Sequence, residues 1–334
     1  MQDQEAGEKR LGRARLAYEN RTFVNGPEGR ILRINAEYLE PLARFRRERI
    51  QDTVVFFGSA RFINLESAQH GLEEAERTPA NGDSPVKLLD NTGAARLAPV
   101  EEQPGTHTDG DLRTKRARAA VEMAQFYEDA RRLAYLLTEW AMGIKSKRAR
   151  FVVTSGGGPG IMEAANRGAS EAGGKTIGLN IKLPFEQFPN RWVTPALNFE
   201  FHYFFMRKYW FAYLAKALVV FPGGFGTIDE AFEILTLTQT RKLAKNMRVI
   251  IYGRKYWDRI LNFEAMVDSG TIAPKDLNLF SYADTPEEAL ELLKKHLSEH
   301  LNTQSPRTLR PEGHLEHDSE TTNKDKTPEI AETN

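Results

Sequence analysis

Short apolar runs alternate with longer stretches of helical period along most of this chain, and that alternation is its main structural signal. Thr53-Val54-Val55-Phe56-Phe57 is the first apolar run. Ahead of it, Tyr38, Leu39, Leu42 and Phe45 fall on one face of a helix predicted over 36–51. The pattern lapses between Glu66 and Thr114, where Pro79, Asn81-Gly82, Pro85, Pro104-Gly105 and Asp109-Gly110 punctuate a stretch with few large apolar residues. A long surface insertion is expected there. Val121, Ala124, Tyr127, Ala134, Leu137 and Trp140 then restore a helix face.

Further on the alternation is regular. Strands are predicted at Phe151–Thr154, Thr176–Ile181, near Phe199–Tyr203, at Ala217–Phe221, Arg248–Tyr252 and Leu277–Tyr282. Helices are predicted from Met162 to Ser170, from Phe204 to Lys216, after Phe221 and from Tyr256. A last helix is opened by Thr285, with Pro286 in its first turn and Glu288 completing a capping box. Strands alternating with helices predict an α/β fold: a doubly wound, mostly parallel sheet with helices on both faces. The expected organisation is a flexible tail over 1–20, one domain over 21–302 with the insertion at about 66–114, and a disordered, Thr-, Glu- and Lys-rich tail over 303–334.

Composition narrows the function. A chain of 334 residues, 40% hydrophobic, can bury a full-sized core. Lys+Arg and Asp+Glu each number 46, a zero balance that argues against a general nucleic-acid binder. The absence of cysteine excludes disulfides, thiolate metal sites and cysteine nucleophiles. No metal-ligand spacing such as His-x-x-x-His is read among the seven histidines, so no metal site is expected from them either. The chain start lacks a charged-then-apolar leader and no run is long enough to span a bilayer, so no membrane partner and a cytoplasmic location are expected.

Two glycine turns carry the candidate chemistry. Phe221-Pro222-Gly223-Gly224-Phe225-Gly226-Thr227-Ile228-Asp229-Glu230 sits between a predicted strand and a predicted helix. That layout aims backbone N–H groups and a helix dipole at one spot, which suits a phosphate. Ser155-Gly156-Gly157-Gly158-Pro159-Gly160 is a second such turn, and carboxyl-end loops of one parallel sheet share a crevice. The dinucleotide fingerprint is missing its third glycine, and the strand at Thr176–Ile181 ends in Asn180 and Lys182 instead of an acid. No Gly-Lys-Ser/Thr occurs, which leaves a mononucleotide or sugar phosphate. Thr227-x-x-Glu230 also reads as a capping box, in which case both residues only start a helix. Arg207 and Lys208 lie in an aromatic helix, and on the pattern alone they read as charges on its outer face.

Taken in order, Gly58-Ser59-Ala60-Arg61, Ser155–Gly160 with Ile161-Met162-Glu163, Arg207-Lys208 and Pro222-Gly223-Gly224-x-Gly226-Thr227-x-x-Glu230 resemble the LONELY GUY family, long labelled lysine decarboxylases. The likeness runs from about Thr53 to Leu297, the insertion apart. It implies a Rossmann-like fold, a homodimer or larger homo-oligomer, no cofactor, and hydrolysis of nucleoside 5′-monophosphates to free base and ribose 5-phosphate. Carried over residue by residue, it implies Glu230 and Arg207 as the catalytic pair. Gly223, Gly224, Gly226 and Thr227 would hold the phosphate, with Gly157 and Gly158 lining the pocket, Lys208 beside the catalytic pair, Ser59 a further substrate contact and Glu163 a secondary candidate for ribose or base contact. Phe204 stands where the family often has methionine, which bears on the choice of base. A non-catalytic nucleotide or cofactor carrier on the same fold is the alternative. Decarboxylation with pyridoxal phosphate would need a Schiff-base lysine that nothing here marks.

Overall fold

The computed structural model describes residues 13–77, 109–184, 188–243 and 247–302. Among them, seven apolar segments form one sheet: β1 (Thr53–Phe57), β2 (Val152–Ser155), β3 (Thr176–Ile181), β4 (Asn198–Phe201), β5 (Ala215–Val220), β6 (Arg248–Tyr252) and β7 (Phe280–Ala283). Their order is β4-β3-β2-β1-β5-β6-β7, and every neighbouring pair is parallel. β1 and β2 are buried at every position, which is why they read as unbroken apolar runs. From β1 the chain winds outward through β2 to β4, then returns to β5 on the other side of β1. This reversal between β1 and β5 makes the fold doubly wound, and such switch points open a crevice at the carboxyl edge.

The helices are α1 (Arg21–Asn25), α2 (Arg30–Arg47), α3 (Leu65–Arg77), α4 (Asp109–Met142), α5 (Ile161–Glu171), α6 (Phe204–Leu214), α7 (Phe225–Gln239), α8 (Arg254–Ile260), α9 (Phe263–Asp268) and α10 (Pro286–Asn302). On one face of the sheet Val54, Phe56, Val153, Val219 and Ile250 pack with Leu133 and Leu137 of α4, Ile161 and Ala165 of α5 and Leu293 of α10. The opposite face is aromatic. Phe45 of α2 stacks at 4.9 Å on Phe199 of β4 and at 5.3 Å on Trp210 of α6, and Phe57 of β1 meets Phe211 of α6 edge-on at 4.7 Å. Each such fully buried ring contributes about 2–3 kcal/mol of transfer free energy. Helices on both faces of a parallel sheet are what the alternation predicted.

Several boundaries differ from expectation. The stretch read as an insertion begins as α3, which buries Ala68 and Ala75 and is joined to α4 by an Arg118–Glu76 ion pair at 3.2 Å. Residues 78–108 of it lie outside the described residues, as do 1–12 and the tail from 303. The last strand starts three residues later than expected, because Pro274–Leu279 forms a 3-10 turn. At α10 the Thr285 hydroxyl accepts from the Glu288 N–H at 3.2 Å, but the Glu288 carboxylate reaches back to the Asp284 N–H at 2.9 Å, one residue short of a closed capping box. The histidine reading needs a correction too. His296 and His300 stand four apart on α10, with their Nε2 atoms 3.2 Å apart. Among the described residues no group of three or more potential ligands surrounds a metal position.

At the amino edge, Asp52 and Arg150 form a buried ion pair, with the Lys216 Nζ 3.6 Å from Asp52 Oδ1. No helix of the described residues is long and apolar enough to cross a membrane.

Candidate active site

The carboxyl ends of β2, β1 and β5, neighbours in the sheet, carry the turns at Gly156–Gly160, Gly58–Arg61 and Phe221–Gly224. The middle turn laces the outer two together. Ser59 N–H donates to Pro222 O at 2.9 Å, and Ile161 N–H donates to Ser59 O at 3.0 Å. Both glycine turns therefore face one edge. Ser59 spends its backbone donor on this lacing, and its Oγ accepts from the Arg61 N–H at 3.1 Å.

α7 starts at Phe225, with Gly224 as its N-cap and no side chain capping it. Ile228 N–H bonds to Gly224 O at 3.0 Å, so the N–H groups of Phe225, Gly226 and Thr227 precede the first intrahelical bond. A helix of 15 residues with an uncapped first turn presents the donors and dipole that an anion needs. Thr227 lies inside the first turn, and Glu230 lies beyond it. The capping-box reading of this pair is thus set aside: neither residue is at the cap. Both are buried, Glu230 at 8% exposure. A Cβ on Gly223 would sit 2.2 Å from Thr227 Oγ1 and 3.0 Å from Ser59 N, so only glycine lets this turn close on the helix. Tyr256 of α8 holds the turn from outside by donating to Gly223 O at 3.0 Å.

Arg207 and Lys208, adjacent on α6, are both half-buried: Lys208 faces α7, and Arg207 turns toward β3 and the first glycine turn. Its Nε donates to Leu179 O at 2.8 Å and its guanidinium lies 5.1 Å over the Phe211 ring. No ion pair with it is found among the described residues. Burial pushes this guanidinium below its usual value, and the charge of Glu230 partly restores it. A Cβ on Gly156 would stand 2.7 Å from Arg207 Nη2, so the first glycine turn is where the guanidinium points.

Lys208 Nζ stands 2.7 Å from Asp229, 2.8 Å from Glu233 and 3.9 Å from Glu230. Burial alone would depress this ammonium, but its hydrogen bonds to Asp229 and Glu233 outweigh that and hold it above its usual value. Glu230 is pushed up to about 7: burial raises it, Lys208 and Arg207 pull it down, and Glu233 and Asp229 add repulsion. A carboxyl poised near neutrality within reach of a half-buried guanidinium can accept or donate a proton and balance developing charge.

The other expected residues divide. Gly157 spends its N–H on Ser155 Oγ at 3.0 Å, and the carbonyls of Gly157 and Gly158 each accept from Asn190 Nδ2 at 3.0 Å. The first turn is thus fixed from beneath. Glu163 is drawn to α4, where Tyr127 Oη donates to it at 3.3 Å, and burial raises its carboxyl while Tyr127 rises to about 12. Among the described residues, no hydrogen bond or ion pair joins Glu163 to Arg207, Lys208 or Glu230.

Sequence reading missed the scaffold under the turn. Asn190 Nδ2 also donates to Asn166 Oδ1 at 2.9 Å, and Ser155 Oγ donates to the same oxygen at 2.7 Å. These residues are buried, far apart in sequence and on no common period, so nothing local marks them.

Sheet order and loop placement make this a Rossmann-like α/β protein with its candidate site at the switch point. The family model described as "Possible lysine decarboxylase" matches residues 162–293, a span that holds Arg207, Lys208 and Pro222–Glu230. A relative named "Probable cytokinin riboside 5′-monophosphate phosphoribohydrolase" from Oryza sativa subsp. japonica is 26% identical over 152 residues, 45% of this chain and 61% of that protein. Another of the same name and organism is 27% identical over 149 residues, 44% of this chain and 59% of that protein. The chain thus spans about three-fifths of the length of these relatives. A solved molybdenum cofactor binding protein from Rippkaea orientalis aligns with TM-score 0.36 and 22% identity over 52% of this chain and 88% of that one, too distant to carry an argument. The resemblance read from the motifs is borne out at this level: a family model and curated relatives of that kind match part of the chain, at low identity.

Proposed function

We propose that the protein is a nucleoside 5′-monophosphate N-glycosidase, releasing free base and ribose 5-phosphate. The observation that carries this reading is a buried Glu230 within the electrostatic reach of a half-buried Arg207, for which no ion pair is found among the described residues, next to an uncapped helix start. The family match and the names of the relatives support it.

The 5′-phosphate sits at the first turn of α7, against Gly223, Gly224, Gly226 and Thr227. This anchors the ribose over Glu230. As the C1′–N bond breaks, positive charge grows on the ribose and the electron pair leaves with the base. The Glu230 carboxylate balances that cation and takes a proton from the attacking water, whose oxygen bonds to C1′. The departing base takes up a proton from solvent water, and Glu230 returns to solvent the proton it took from the attacking water, so the step balances as hydrolysis. Arg207 supplies positive charge to the phosphate or to the base. A rise in KM in Arg207→Lys assigns the first role, a fall in kcat the second.

The test is base release from a panel of 5′-monophosphates carrying adenine, guanine, hypoxanthine, cytosine, uracil and N6-substituted adenine. At least one is hydrolysed, and Glu230→Gln lowers that kcat by roughly 100-fold or more. Tight nucleotide binding with no turnover across the panel overturns the reading in favour of a carrier. Size-exclusion chromatography with light scattering tests the homodimer, and fractionation of the source cells tests the cytoplasmic location.

A further inference from the structure

Lys208 is usually the sort of residue one would give to a phosphate, yet its ammonium is already engaged. It is divided between Asp229 and Glu233 at 2.7 and 2.8 Å, and stands off Glu230 at 3.9 Å. The three acids occupy one stretch of α7, while Lys208 comes from α6 beside Arg207. The charged groups facing Glu230 are thus Arg207 and Lys208 from α6 and Asp229 and Glu233 from its own helix.

We propose that Asp229 and Glu233 are positioning residues: by holding Lys208 between them they keep its charge from closing on Glu230, and so set the pH at which Glu230 ionises. This rests on the nucleotide-hydrolase reading for its purpose, but not for its test. The argument is geometric. A lone ammonium beside a lone buried carboxylate would collapse to a contact pair of about 2.8 Å and hold the acid well below its usual value. Here two more exposed carboxylates hold it instead: the Asp229 and Glu233 side chains are 59% and 34% exposed, against 10% for Glu230, and are less costly to keep ionised. Glu230 is left with one cation at the limit of ion pairing and two anions close by. The same bridge fixes α6 against α7, and with them Arg207 against Glu230.

The alternative role for Lys208, direct contact with the phosphate, requires it to abandon two hydrogen bonds. The alternative role for Asp229 and Glu233, simple surface tethering, predicts no effect on the ionisation of Glu230. Gln in place of Glu233 keeps an oxygen acceptor for Lys208 and removes only the charge, which separates tethering from charge control.

The experiment is titration of Glu230 in the ligand-free protein by carboxylate carbon NMR, its signal assigned by its loss in Glu230→Gln. The midpoint is compared among wild type, Asp229→Asn, Glu233→Gln and the double variant. The expected result is a fall of about one pH unit in Glu233→Gln, and a larger fall in the double variant. Lys208→Met moves it the opposite way. An unmoved midpoint in the double variant overturns the proposal. Because the readout needs no substrate, it stands apart from catalysis: a shifted midpoint with no nucleotide cleaved sinks the hydrolase reading alone. An unmoved midpoint in a working hydrolase sinks only the role of Asp229 and Glu233. In an active enzyme, the acid limb of kcat moves with the NMR midpoint.

Discussion

Replacing Glu230 by Gln should make the protein less sensitive to alkaline pH. In the fold this carboxyl is raised from 4.5 to about 7, chiefly because it is buried. The fold therefore favours the neutral acid. The corresponding stability is complete below the unfolded value near 4.5 and is lost as pH rises through the folded value near 7. A shift of that size amounts to about 3 kcal/mol, and almost all of it disappears between mildly acidic and mildly alkaline solution. The glutamine amide has the shape of the neutral acid and nothing to ionise. The assay is urea unfolding of wild type and Glu230→Gln near pH 5 and near pH 8, read as a difference of differences so that every other titrating group cancels. Wild type should lose about 2–3 kcal/mol more than the variant across that interval. Parallel behaviour of the two proteins refutes the reasoning. So does a wild type that gains on the variant with rising pH, which would mean that Arg207 and Lys208 more than offset burial.

Other predictions concern the parts that build the site. Gly223→Ala puts a methyl group 2.2 Å from Thr227 Oγ1, and should cost about 1–3 kcal/mol in unfolding free energy and weaken nucleotide binding in calorimetry by tenfold or more. Gly224→Ala meets nothing within 4 Å and should leave the unfolding free energy within about 0.5 kcal/mol of wild type. Asn190→Ala strips the donor from Gly157 O, Gly158 O and Asn166 Oδ1, and should cost about 2–3 kcal/mol in urea unfolding; no loss would show that water replaces it. Asp52→Ala leaves Arg150 buried without its partner at the edge remote from the site. It should cost about 3–5 kcal/mol in stability while kcat/KM of the folded fraction is kept.

The sheet was legible because parallel strands buried on both faces write themselves as apolar runs: the predicted limits of β1, β3 and β6 are those observed. α3 escaped notice for the opposite reason. It buries alanines only, and its Gly71 and glutamates read as surface loop. The 3-10 turn at Pro274–Leu279 was mistaken for strand because Leu277 and Leu279 alternate as strand residues do. At the site, the glycine turns and Glu230 could be picked out from spacing. The register of α7 could not: only coordinates show that Gly224 is the cap, which takes Thr227 and Glu230 out of the capping role. The Ser155–Asn166–Asn190 lattice and the Lys208 bridge are contacts between segments far apart in sequence, and no local pattern encodes them.

One junction limits how this molecule can work. α6 ends at Leu214 and β5 begins at Ala215, whose backbone is already extended, so the helix bearing both cations runs into an interior strand with no linker between. A rigid rotation of that helix would have to drag the sheet with it. The cationic side of the crevice is thus a fixed wall, its two charges moving only as far as the sheet itself moves.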